Sequence, residues 1–176
     1  GASLNGNIEI NSATVSIILN ETDRTDENTQ LLNASGNFRI RTRSDDGNTN
    51  TDRLRIDHGT GDVSFYEDTG STAKMVWDSS AESLGIGTNS PTSLIHAYTA
   101  ATAITPLLTL QANVSDNTGT QGASIDFVGS GDATAVGSRI VATRAAAGAN
   151  MDLRFHTGRD AERMRILSDG AATFGC

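Results

Sequence analysis

Two histidines stand near a carboxylate in the chain: Asp57 directly precedes His58, and Asp152 shares an alternating run with His156. A carboxylate that orients an imidazole is the usual starting point for general acid–base chemistry. Both pairs lie in alternating runs close to turn residues, where a histidine is ordinarily a polar surface group. No GxSxG elbow, HExxH, paired CxxC or phosphate-cradling glycine loop accompanies them. The expectation is a chain that is not an enzyme.

Carboxylates cluster at Asp23, Asp26 and Glu27, and again at Asp45, Asp46 and Asp52. Calcium asks for roughly six to eight oxygens in a looped cage. Neither cluster has the spacing of an EF-hand loop or a nonapeptide calcium repeat, so both read as solvated turn carboxylates. A glycosidase needs only two carboxylates, and these can be far apart in sequence or on different subunits. A polysaccharide-cleaving enzyme therefore stands as an alternative function. The three histidines, His58, His96 and His156, carry a second idea. In a parallel trimer an inward histidine would form a ring able to hold a metal or anion. A surface position is the plainer role for each, and no cofactor is expected. Tyr66, Trp77 and Tyr98 are the candidate aromatic platforms for a glycan, although Trp77, between Val76 and Asp78, suits core packing equally well.

The elements that must position these groups are strands. RLRIDHGTGDVSF at 53–65 returns as RMRILSDGAATF at 163–174, each after an alternating run, NFRIRT at 37–42 and DLRFHT at 152–157. Strict alternation puts Phe38 and Ile40 on one face, and Leu54 and Ile56 on one face, with the arginines opposite. A fainter third copy is KMVWDSSAESLGIG at 74–87. Further strands are expected at 7–10, 14–20, 29–34, 62–67, 73–78, 93–98, 106–112, 123–129 and 137–144, with turns at SGN, SDDGN, GTGD, GSGD and SDG. Helix signals are short and weak, as at 97–103 and 143–149. The fold class is all-β. Pro91, with Gly85 and Gly87 loosening the backbone before it, divides the chain into units 4–90 and 91–176.

Leu, Ile, Val and Phe supply only 36 of 176 residues, near the level at which composition begins to signal disorder. Period-two placement argues for order instead, in a chain that buries its apolar faces against copies of itself. The net charge of −8 disfavours nucleic acid. Lys74 is the only lysine; arginine's planar fork suits fixed carboxylate pairs. With Cys176 the single cysteine, no intrachain disulfide is possible. No apolar run approaches the ~20 residues that cross a bilayer, so no membrane insertion is expected. Gly1-Ala2-Ser3 reads as a cleavage remnant on a piece of something longer. Sequons at Asn20, Asn33 and Asn113 would matter only in a eukaryotic secretory route.

The ordered pieces GIGTNSP (85–91), LLTL (107–110), SIDF (124–127) and ERMRI-x-SDG (162–170) together resemble repeats of bacteriophage tail fibres and related virion appendages. The resemblance covers the second half well and the first loosely. It implies an elongated homotrimeric fibre segment of short strands, either a triple-stranded β-helix or stacked β-sandwich or prism units. Such a segment would be extracellular, on the virion, and would contact a host cell-surface glycan or protein. A stand-alone carbohydrate-binding module or a tail-spike-type enzyme are the rival functions. The chain departs from the repeat at Ala171-Ala172-Thr173-Phe174, where a second GIG motif is expected. Residues expected to line the trimer interior are Ile40, Leu54, Ile56, Leu108, Leu110, Phe127, Leu153, Phe155, Met164 and Ile166.

Overall fold

The computed structural model describes residues 8–112, 121–129, 137–144, 151–158 and 161–175. Gly1-Ala2-Ser3, the Asn113 sequon, most of the alanine run at 143–149 and Cys176 lie outside them. Among the described residues there are thirteen strands and no helix, so the all-β expectation is met. The chain divides into two compact units, Gly1–Leu107 and Leu108–Cys176.

The first unit is one sheet whose eight strands follow chain order: β1 (Thr14–Leu19), β2 (Asn28–Ala34), β3 (Asn37–Arg43), β4 (Asn50–Asp57), β5 (Val63–Tyr66), β6 (Ala73–Asp78), β7 (Ser83–Ile86) and β8 (Ile95–Ala97). Every neighbouring pair is antiparallel except β7 and β8. The turns are those that glycine and small polar residues specify. Between β2 and β3, Ser35 and Gly36 both take positive φ (52° and 71°), the two-residue turn whose twist matches that of the strands it joins. The second unit is a five-stranded sheet in the order β13-β12-β11-β10-β9, built from β9 (Gly122–Phe127), β10 (Ser138–Arg144), β11 (Met151–Thr157), β12 (Ala161–Ile166) and β13 (Ala172–Phe174).

The division falls between Leu107 and Leu108, where the sequence suggested 90/91; β8 runs parallel beside β7 in the first sheet. Two sequence expectations are corrected. Gly85 does not loosen the chain: it lies inside β7, where a Cβ would strike the Thr88 carbonyl, and Gly87 (φ +76°) is similarly packed against the Tyr98 carbonyl. Glycine here permits close approach of backbones. Residues 8–10 and 106–112 form no strand. A strand exists only where a neighbour completes its ladder; among the described residues neither segment has one, and Ile8, Ile10, Leu107 and Leu108 stay exposed.

The echo in the sequence is a repeated hairpin with a repeated defect. In β3–β4, Ile40 faces Leu54 but Arg41 faces Asp52, leaving Arg53 as an extra residue. In β11–β12, Phe155 faces Met164 but His156 faces Glu162, leaving Arg163 extra. In β5–β6, Phe65 faces Met75 but Tyr66 faces Ala73, leaving Lys74 extra. Each is a β-bulge, and the extra residue is basic every time. The following strand also repeats: Leu54–Phe65 and Ile56–Val63 recur as Met164–Phe174 and Ile166–Ala172, and again as Met75–Ile86 and Trp77–Leu84. The departing AATF segment therefore pairs as the GIG segment does.

Candidate functional site

Register places an uninterrupted row of side chains across one face of the first sheet: Ile17, Leu31, Ile40, Leu54, Phe65, Met75, Ile86 and Ala97. A second row beside it runs Val15, Asn33, Phe38, Ile56, Val63, Trp77, Leu84 and Ile95. Seven strand spacings of ~4.8 Å make this ribbon roughly 34 Å long. Among the described residues of this unit nothing covers it: Phe65, Trp77 and Ile86 are 41%, 42% and 46% exposed. The second sheet repeats the arrangement, with Ile125, Ile140, Phe155, Met164 and Phe174 in one row and Ala123, Ala142, Leu153, Ile166 and Ala172 in the next.

Eight of the ten expected interior residues lie on these two faces: Ile40, Leu54 and Ile56 on the first, and Phe127, Leu153, Phe155, Met164 and Ile166 on the second. Leu108 and Leu110 lie outside strands. Leu110 borders a shallow apolar groove of about 180 Å³ with Ala123, Ile125, Ile140, Ala142 and Leu153; Leu108 is exposed.

The opposite faces are polar and ion-paired. On the first sheet Asp52 receives Arg41 at 2.7 Å and Arg39 at 3.7 Å. Leu32 and Val76, the only buried large apolar residues described, are on this face. Leu32 shares its cross-strand row with Arg39, so the arginine stem shields it. On the second sheet Arg165 meets Glu162 at 2.8 Å and Asp152 at 3.9 Å, and Arg154 meets the same two acids at 3.7 and 3.6 Å. The Arg165 guanidinium, hydrogen-bonded to Glu162, holds that carboxyl below its usual range and is itself raised.

Neither acid–histidine pair is assembled. Asp57 accepts hydrogen bonds from the Gly59 and Thr60 amides at 2.8 and 3.2 Å, which cap the turn and lower its pKa. His58 is exposed, its amide bonded to the Gly36 carbonyl. Asp152 is buried and accepts the Ser168 amide at 3.1 Å; four positions along one strand separate it from His156 by ~13 Å. His96 is on β8, its ring edge-on to Tyr98 at 6.4 Å. Among the described residues no three acidic, histidine or cysteine side chains converge as a metal site.

The acidic clusters serve turns. Asp26 accepts the Asp45 amide at 2.8 Å, and Asp45 accepts the Asn28 side chain at 2.7 Å. Asp46, bonded by the Ser44 hydroxyl and by Asn48, is held down to about 2. Of the three aromatics, Trp77 is on the apolar face, Tyr98 is exposed past β8, and Tyr66 is on the polar face. There it lines a groove of about 370 Å³ together with Arg55, Asp57, Asp62, Ser64 and Asn89. Sequence reading singled out Tyr66 but missed Arg55, whose position on the arginine side of an alternating strand was the available signal. No protein-family profile matches this chain, and no curated protein matches it.

Proposed function

We propose that this chain is a structural and adhesive segment of a virion tail fibre, acting outside the cell as a homotrimeric rod or tip that contacts the host surface. The observation that carries this reading is the pair of apolar faces laid out in register across their sheets; among the described residues of its unit nothing covers the first, and Leu110 borders the second. Burying such area is worth about 25 cal/mol per Å², and soluble chains rarely leave contiguous patches of it in water. The cover must match a ribbon two rows wide and eight strands long. A second copy of the chain supplies a ribbon of that length and pattern.

Within each unit the ladders are completed inside one chain. That favours prism-like packing of three sheets, apolar faces inward, over a triple-stranded β-helix whose ladders run between chains. The trimer count itself follows from the resemblance to tail-fibre repeats. Light scattering tests the reading: the expected molar mass is three times the 18.4 kDa of one chain. A compact, cooperatively unfolding species of one-chain mass in dilute buffer would overturn it.

A further inference from the structure

The polar-face groove of the first unit has a cation stacked on an aromatic ring at its side. Arg39, Arg41, Arg139, Arg154 and Arg165 each have a carboxylate within ion-pair distance, and Arg53 donates to the Glu67 and Asp68 carbonyls. Arg55 has neither. Its guanidinium carbon lies 5.6 Å from the centre of the Tyr66 ring, and among the described residues no carboxylate reaches ion-pair distance of it, Asp57 acting on it only at longer range. Stacking on an aromatic face holds the planar group in place and leaves its edge N–H groups directed elsewhere. A fork of parallel donors is the natural partner of a carboxylate.

The rest of the groove offers acceptors and hydroxyls. Asp57 spends Oδ1 on the Gly59 and Thr60 amides, and Asp62 spends Oδ1 on Ser79. In each case Oδ2 is left for a hydroxyl donor. Ser64 is buried at the floor, with Asn89 at the side. One fork flanked by two carboxylates disfavours a phosphate dianion or a polyanion, whose greater charge both acids would repel more strongly than a single carboxylate's. It suits a ligand with one negative charge amid several hydroxyls.

We propose that this groove binds a carboxylate-bearing sugar residue, of the uronic or nonulosonic class, within a surface polysaccharide. The sugar's carboxylate takes the Arg55 fork, its hydroxyls donate to Asp57 and Asp62, and Tyr66 braces the guanidinium. This site deepens the adhesive reading above and rests on it, since that reading turns the polar face outward.

The test uses calorimetric titration of the purified chain with uronic-acid and sialic-acid oligosaccharides and with their carboxyl-reduced counterparts. Saturable binding is expected for the acids, at least tenfold weaker for the reduced sugars. R55Q should lose tenfold or more, and R55K, which keeps the charge without the fork, should also weaken. K74Q, which removes a charge outside the groove, should bind as the parent does. Equal affinity for reduced sugars, unchanged binding in both Arg55 variants, or silence across the panel overturns the proposal. Light scattering on the same samples separates the two readings. A trimer that ignores the sugars overturns the groove alone, and a one-chain species that binds them overturns the trimer alone.

Discussion

Glu67 shows how a single exposed side chain organises a turn. Its two oxygens accept from the Thr69 amide and hydroxyl, the Ser71 amide and hydroxyl, and the Thr72 amide. Hydrogen bonds to the ionised form hold its pKa well below the usual carboxylate range, the Thr72 amide foremost. A depressed pKa means stabilisation that is complete above the unfolded-state value near 4.5 and is lost as pH falls toward the folded-state value. The Thr72 amide resonance should therefore show no titration through pH 4.5 and shift only in stronger acid. In the folded chain, a midpoint near 4.5 would contradict this. The Glu67→Gln variant should lose stability at neutral pH and show less further loss on acidification. At this scale the sequence was informative about residue type but not about role. Asp23-to-Glu27 and Asp45-Asp46 are visibly turn carboxylates, yet nothing in one dimension pairs Asp26 with the Asp45 amide.

Strands and their faces were the most legible element. Phe38 with Ile40, and Leu54 with Ile56, alternate so strictly that facing rows followed directly from period two. The bulges were less visible, although they left a trace. Asp52 stands two residues before Leu54, and Glu162 two before Met164. Strict alternation would place either carboxylate on the apolar face. An extra residue, Arg53 or Arg163, moves it to the arginine side, where Asp52 meets Arg41 and Glu162 meets Arg165. Strand β7 was missed because SLGI looks like punctuation. Its glycine is a requirement of packing, so Gly85→Ala should cost about 1–3 kcal/mol through collision with the Thr88 carbonyl. Denaturant unfolding measures this, and amide exchange should show the loss concentrated at β7 and β8. A neutral substitution would mean that the two backbones do not approach as described. Segment 106–112 was misread for the opposite reason: its leucines have the composition of a strand, but among the described residues no neighbour pairs with it.

At the scale of the molecule, the prediction concerns what covers the apolar faces. Leu54→Asp and Phe155→Asp each set a charge in the middle of one face, and an unpaired buried charge is costly. Either variant should lower the molar mass by light scattering and expose dye-binding surface. Ser16→Asp, on the polar side of β1, should leave the mass unchanged. A parent and variants of identical one-chain mass would remove the basis for assembly. The sparse apolar composition pointed to incomplete cores, and the two buried large apolar residues described, Leu32 and Val76, agree with that reading.

The first sheet keeps its strands in the order in which they are synthesised, each bonded only to its neighbours along the chain. Loop closure between successive strands is then short and inexpensive in entropy, so the sheet can zip up from its amino-terminal edge while later strands are still emerging. The same arrangement makes length adjustable. Because the bulged hairpin recurs with its own basic residue and its own facing pairs, one such module could be gained or lost by duplication or deletion without re-pairing those on either side.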